Sequence, residues 1–514
     1  MNPTTFQQQI LDPLLRHFDQ NADSDAFFIG GKAYSYRTLL ARITAIRTRL
    51  HNRNDNSNLL AIILDDHIDT YASILALWFE GLAYVPLHPL QPASRNLNIL
   101  QQTNTQTLLC TSTGTDLTTQ AQQIGINIIQ TTTLADPTTP DTTILPADDN
   151  SLAYVLFTSG STGTPKGVCL TRDNLASFVD SFWKTGISIQ PNDRCLQAFD
   201  LTFDVSIQTF LTALLSGACV CTIPYGQIKY LYAAQLIMEQ HISCASMAPS
   251  MLTYLKPYFS QLDAKSLKTC ILTAEACPID LLQQWGQCAS NADLYDFYGP
   301  TEATIYCTYY KYNRNTANPS ANGICSIGKP LANIQTLIIN EEGQTLPQGE
   351  KGELCVAGRQ VTPGYWNNPE KNSTSFLSIE HNGTKQTYYR TGDLCQQDPD
   401  GNLLYFGRID QQAKIQGYRV ELGEIEYQAR QHFAGQNRTA AIAYTDNRGI
   451  TEIALFVETP SSDTTSLTNH LKNTLPPYMI PSRIICLPNF PLNRSEKIDR
   501  TALKLIVTTQ NADS

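Results

Sequence analysis

The stretch LAYVLFTSGSTGTPKGV, residues 152–168, constrains the fold of this chain more than any other. Its first six residues are an unbroken apolar run with the length and aromatic content of a buried strand. That strand feeds a loop rich in glycine, serine and threonine that ends on Lys166. Glycines let backbone N–H groups close on an anion, hydroxyls add donors, and a lysine supplies a point charge. The pattern reads as a phosphate-holding loop on an α/β sheet; the plainer alternative is a solvated surface turn. It is not the P-loop of NTPases, because Pro165 precedes Lys166 and Gly167 follows it where the G-x-x-x-x-G-K-[ST] template needs Gly and Ser or Thr.

A chain of 514 residues is too long for one hydrophobic core, so two or more domains sharing a cleft are expected. Apolar bursts such as LLAIILDD (59–66) alternate with helix-like stretches such as YRTLLARITAIRTRL (36–50), an α/β pattern. The polar run TTTLADPTTPDTTILPADDN (131–150) reads as a surface connection, and GELCVAGRQVTPGYW (352–366) as a β-rich subdomain. From Ile409 the texture changes. IDQQAKIQGYRV reads as strand-turn-strand, ELGEIEYQARQHF as helix, TAAIAYT and TEIALFVE as strands, and SLTNHLKNTLPPYM as helix until its prolines. Together these make a small α+β module.

A net charge of -10 argues against nucleic acid and anionic membrane partners. The start lacks a basic segment followed by an apolar core, and no apolar run approaches the roughly 18 residues of a spanning helix. A soluble, cytoplasmic protein is expected. The 14 cysteines include no C-x-x-C pair, which fits reduced thiols better than a zinc site or a disulfide scaffold.

Further motifs follow the loop in order: FDVSIQTFLTALLSGA (203–218), YGPTEAT (298–304), GELCVAGRQVTPGYWNNPE (352–370), YRTGDL (389–394), GRIDQQAKIQGYRVELGEIE (407–426) and NRSEKIDR (493–500). This set spans about 150 to 500 and resembles the adenylate-forming (ANL) superfamily: amino-acid adenylation domains of nonribosomal peptide synthesis, acyl-CoA synthetases and luciferases. The resemblance implies an α/β N-terminal core over residues 1–408, made of two α/β subdomains plus a β-rich one. It also implies a mobile α+β C-terminal domain over 409–514.

The same resemblance assigns ATP and Mg²⁺ to named residues. Thr158, Ser159, Gly160, Ser161, Thr162, Gly163 and Lys166 would hold phosphates, Thr301 would contact them, and Glu302 would ligate Mg²⁺, which prefers oxygen donors. Asp296 stands where many relatives carry the Asn that accepts from the adenine amine, and a carboxylate can accept the same bond. Tyr298 joins the nucleotide set, Asp393 would accept from both ribose hydroxyls, and Arg408 would contact the ribose-phosphate region. Tyr405 either packs against the nucleotide or merely covers surface. Asp410 would be the hinge of the C-terminal domain. Lys497 would bridge the attacking carboxylate and the α-phosphate as charge develops, although Glu496 replaces the glycine of the usual N-G-K. Seen alone, Lys497 is an ordinary surface lysine.

Asp204 matches the aspartate that pairs with a substrate α-ammonium in amino-acid adenylation domains, and a buried carboxylate makes sense when paired. Acyl-CoA and aryl-CoA ligases have no use for it. Aligned by motif, the rest of the pocket is Val205, Gln208, Ser246, Leu272, Ala274, Phe297, Ile305 and Tyr306, none of them charged, so a neutral side chain is expected. The opening Asp-Val-Gln resembles the code of proline-activating domains. L-Proline is the first candidate; D-alanine or another small amino acid is the alternative. The chain reads as a free-standing ligase that makes aminoacyl-AMP and hands the acyl group to a phosphopantetheine thiol on a separate carrier protein, with Gly417 lining the thiol's entry. A nucleotide-binding protein without catalysis is the rival from another class, but it needs neither hinge nor distal lysine. Lys497→Ala is expected to abolish amino-acid-dependent pyrophosphate exchange while sparing thiolation from supplied adenylate; surviving exchange overturns that assignment.

Overall fold

The computed structural model describes residues 4–160, 165–381, 383–410, 412–459, 463–493 and 498–512. A seven-stranded sheet runs in spatial order Gly364–Tyr365, Lys166–Thr171, Leu152–Thr158, Ala83–Leu87, Leu59–Ile63, Thr107–Cys110 and Asn127–Gln130. From Leu152–Thr158 onward its strands are parallel. A nine-stranded sheet holds the parallel run Asp293–Tyr298, Thr269–Thr273, Cys244–Met247, Arg194–Gln197, Cys219–Thr222 and Asp25–Ile29, with antiparallel strands at both edges.

Helices Ile68–Phe79 and Asp204–Leu215 explain how the two sheets stay together. Every residue of both is buried, as expected of helices that are not amphipathic but covered all round. The first packs on the seven-stranded sheet and the second on the nine-stranded one. They meet through Tyr71 and Phe210, edge to face at 5.5 Å. The molecule thus layers sheet, helix, helix, sheet, and one apolar core runs through it. The first turn of Asp204–Leu215 is delivered to the carboxyl ends of the nine-stranded sheet, where open α/β sheets place their ligands.

Antiparallel strands Ile334–Ile339, Lys351–Gly358, Thr384–Gln397, Phe376–His381 and Leu403–Arg408 form the β-rich third sheet. Beyond it, the hairpin Gln412–Ile415 and Tyr418–Glu421 precedes helix Leu422–His432 and a three-stranded sheet of Thr439–Thr445, Thr451–Glu458 and Arg483–Leu487. Two apolar clusters of this C-terminal unit have members only between 413 and 507. The architecture is the expected one: α/β subdomains, a β-rich subdomain and a small α+β unit. No helix among the described residues is long and apolar enough to cross a membrane.

The glycine-rich segment does not feed a helix. The chain returns as strand Lys166–Thr171, antiparallel to Leu152–Thr158, with Thr158 opposite Lys166. A helix begins only at Arg172. Lys166 is therefore held by a sheet, and any anion there is bound by side chains and loop amides without the field of a helix N-terminus.

Candidate active site

The site lies where the carboxyl ends of the nine-stranded sheet, the loop after Leu152–Thr158 and the hairpin 412–421 converge. A cavity of about 80 Å³ there is lined by Thr158, Thr202, Asp204, Ala274, Thr301, Asp393 and Arg419, among others. Three of its polar atoms are buried without a hydrogen-bond partner: Thr158 Oγ1, Thr202 Oγ1 and Asp204 Oδ2. Buried polar groups are rarely left so, and three around one cavity point to a polar ligand.

Asp204 sits in the first turn of its helix. Burial pushes its carboxyl up to about 6, against the opposing pull of the Thr301 hydroxyl and the N–H groups of Ile305 and Val205. One turn on along that helix, Gln208 Oε1 accepts from the Ser246 hydroxyl at 2.9 Å and from Tyr306 Oη at 3.2 Å, and Gln208 Nε2 donates to Thr212. Phe297 packs on Tyr306 with ring centroids 4.9 Å apart. This buried cluster is thus polar but satisfied from within.

The turn that follows the lining residues Gly299, Pro300 and Thr301 is strained. Thr304 and Ile305 are consecutive β-branched residues at φ 56 and 72, a region such side chains avoid. Gly299 makes this possible, because a Cβ there would stand 2.4 Å from the Ile305 carbonyl oxygen and 2.6 Å from Tyr306 Cα. Of the expected pocket residues, Asp204, Val205 and Ala274 line the cavity, whereas Gln208, Ser246, Leu272, Phe297, Ile305 and Tyr306 do not. Leu272 belongs to the apolar cluster on the outer face of the nine-stranded sheet, whereas its neighbour Thr273 lines the cavity. Successive strand residues point to opposite faces, so a register one residue off exchanges them.

On the nucleotide side, Asp393 accepts from Tyr298 Oη at 2.5 Å and from Arg408 Nη1 at 2.9 Å. Arg408 also reaches both oxygens of Asp410 at 2.6 Å, which together with backbone bonding holds the Asp410 carboxyl below the ordinary range despite burial. Tyr405 lines a neighbouring groove with Arg408 and Asp410 rather than the cavity. Asp296 is buried, which pushes its carboxyl well up, and Lys414 opposes that shift. The Lys414 ammonium lies over the Tyr298 ring at 5.2 Å.

Glu302 has no exposed surface. Burial alone would raise its carboxyl, yet Arg419 and Lys166 outweigh it and hold it at about 2. Its Oε1 accepts from Tyr365 Oη at 2.6 Å and its Oε2 from Arg419 Nη1 at 2.7 Å. Lys166, driven down to about 8 chiefly by burial, lies 3.4 Å from Glu421 Oε1 and over the Tyr365 ring. Gly160 N–H donates to Glu424 Oε2 at 3.3 Å, and the Ser159 hydroxyl donates to the Arg419 carbonyl and accepts from Glu421 N–H, both at 3.1 Å. Gly417 N–H donates to Glu275 Oε1 at 2.6 Å.

Sequence reasoning missed Arg419, Glu421, Glu424, Lys414, Tyr365 and Glu275. The period-2 spacing of Arg419 and Glu421 on one strand face was the available signal. Ser161, Thr162, Gly163 and Lys497 lie outside the described residues. Past that position, Asp499 N–H donates to the Pro491 carbonyl, and Arg500 pairs with Glu426.

Comparison with known proteins fits this geometry. Residues 14–366 match the family model described as AMP-binding enzyme. A linear gramicidin synthase of Brevibacillus parabrevis is 33% identical over 98% of this chain and 10% of its own length. A plipastatin synthase of Bacillus subtilis (strain 168) is 32% identical over 95% of this chain and 13% of its own length. The chain therefore spans about a tenth of these two curated relatives. Among solved structures, the Vibrio cholerae adenylation domain AlmE in complex with glycyl-adenosine-5'-phosphate is 25% identical with a TM-score of 0.84, covering 98% of this chain and 97% of that one.

Asp204 also carries a stability prediction. In the folded protein it holds its proton up to about 6, above the ordinary carboxyl value of 3.8, so folding gains from acid between about pH 4 and 6 and has lost that gain by pH 7. Asp204→Asn is expected to raise stability at pH 7 by about 1–3 kcal/mol. The gain should fade towards pH 4 in thermal melts; a variant less stable than wild type at pH 7 contradicts it. Matched over most of its length and built around a cavity of unpaired polar groups, the chain belongs to the AMP-binding enzyme family.

Proposed function

We propose that the protein activates a small neutral amino acid with ATP and passes it to the phosphopantetheine thiol of a carrier protein in trans. The observation that carries this is Asp204 Oδ2: a buried carboxylate oxygen without a partner, aimed into a cavity beside two unpaired hydroxyls. A primary or secondary ammonium supplies the missing charge and proton donor. Fatty and aryl acids supply neither.

Adenylate-forming enzymes use ATP and generally Mg²⁺. The residues here fit both. Gly160 N–H and Lys166 are donors for phosphate oxygens, Asp393 is an acceptor for ribose hydroxyls, and Asp296 is an acceptor for the adenine amine. Among the described residues no group of three or more His, Cys, Asp or Glu could form a self-sufficient metal site. Glu302 would therefore hold Mg²⁺ together with the phosphates, as that ion usually is held. Bound there, the cation would neutralise charge developing on the phosphates.

In the first half-reaction Asp204 fixes the ammonium and so aims the substrate carboxylate. A carboxylate oxygen bonds to the α-phosphorus, the bond from that phosphorus to the bridging oxygen breaks, and pyrophosphate leaves. Lys497 would stand between the two anions. In the second, the C-terminal unit has turned about Asp410 and the Gln416–Gly417 turn faces the adenylate. Gly417 and Phe203 line both the small cavity and a second one of about 470 Å³, which reaches Tyr230 and Tyr254. A thiol entering through the larger cavity would attack the acyl carbon and displace AMP.

None of the expected pocket residues beyond Asp204 is charged, which favours a neutral side chain, L-proline first. Similarity to a domain that binds glycyl-adenylate favours glycine or alanine, including D-alanine, as the second reading. Pyrophosphate exchange across glycine, both alanines, L-proline and charged amino acids is expected to peak among the small neutral ones; a charged substrate winning overturns the pocket reading. Gly417→Leu places a side chain between the cavities. It should retain exchange but lower thioester formation at least about 100-fold, the scale expected when reactants are misplaced.

A further inference from the structure

The groups that would hold magnesium pyrophosphate are already occupied by the protein itself. Lys166 and the Gly160 N–H are donors suited to phosphate, and each faces a carboxylate: Glu421 at 3.4 Å and Glu424 at 3.3 Å. Glu302 is an acceptor suited to a cation, and it faces the Arg419 guanidinium at 2.7 Å. All three occupants come from one run of six residues, Arg419 to Glu424. Its two carboxylates and one guanidinium sum to one negative charge, the sign of magnesium pyrophosphate. Tyr365 takes the other oxygen of Glu302, and Arg95 the other oxygen of Glu424, so both carboxylates are engaged through both oxygens. Charges this deeply buried need partners in every state of the enzyme, and these have them without any ligand.

We propose that the segment Arg419–Glu424 is a built-in substitute for magnesium pyrophosphate: it seats on Gly160, Lys166 and Glu302 once the product has left, and while seated it keeps pyrophosphate from returning. The proposal rests on the adenylation reading above. It gives that reaction a direction. With the segment seated, the adenylate meets a thiol through the side of Gly417 but cannot meet pyrophosphate, so reversal is suppressed during transfer. Arg419 is a positioning residue in this scheme, because it acts through Glu302 and touches no reacting atom.

The test uses the full chain without nucleotide and magnesium pyrophosphate as the probe. Calorimetry compares wild type with the triple variant Arg419→Ala, Glu421→Gln, Glu424→Gln. Removing a competitor that occupies the site most of the time should tighten binding about tenfold or more. In wild type, hydrogen exchange of amides in 412–421 should speed up when magnesium pyrophosphate is added, a reading that needs no variant to fold. A triple variant that binds the probe no more tightly, or hairpin amides unmoved while the probe binds, overturns the substitute. If MgATP still binds in that case, the adenylation reading survives; failure of MgATP to bind overturns both.

Discussion

A carboxylate with no solvent exposure cannot remain charged alone, and Glu302 makes that constraint the centre of this molecule. It is fixed in the turn after Tyr298, beside Lys166, and takes its compensating charge from Arg419 across the junction with the C-terminal unit. The hairpin 412–421 is drawn in by the same need, and with it Gly417 reaches the cavity wall. Tyr418 follows, stacked on Tyr478 at 4.0 Å and donating to Asp200. Placement of the C-terminal unit is thus tied to the charge state of one buried site.

The large core supports this by rigidity. Two helices covered on all sides lock the sheets together, and one of them presents Asp204 from its first turn. The carboxylate is expensive there, as its upward shift records. Charge and unpaired hydroxyls gather around one small cavity while the surrounding layers are ordinary apolar packing.

Much of this was legible in the sequence. Lys166, Glu302, Asp393 and Asp204 stand out because each is polar within an apolar or glycine-rich setting, where water alone would not place it. The α/β alternation reads directly into the sheets. Arg419, Glu421 and Glu424 were hidden for the opposite reason: charged residues in a polar hairpin and a first helical turn look like a solvated face until a second surface is laid against them. Leu272 packs in an apolar cluster while Thr273 beside it lines the cavity, an alternation of finer grain than motif alignment resolves. The return of the glycine-rich segment as a strand at Lys166 depends on pairing with residues 152–158, which loop composition does not encode.

The left-handed pair Thr304 and Ile305, braced by Gly299, has a consequence for the turn that carries Glu302. A backbone already bent against its preferences, with a glycine whose place no larger residue could take, has little slack for moving. Such a turn keeps its buried carboxylate where it is, so that any ion or side chain that balances the charge has to come to it.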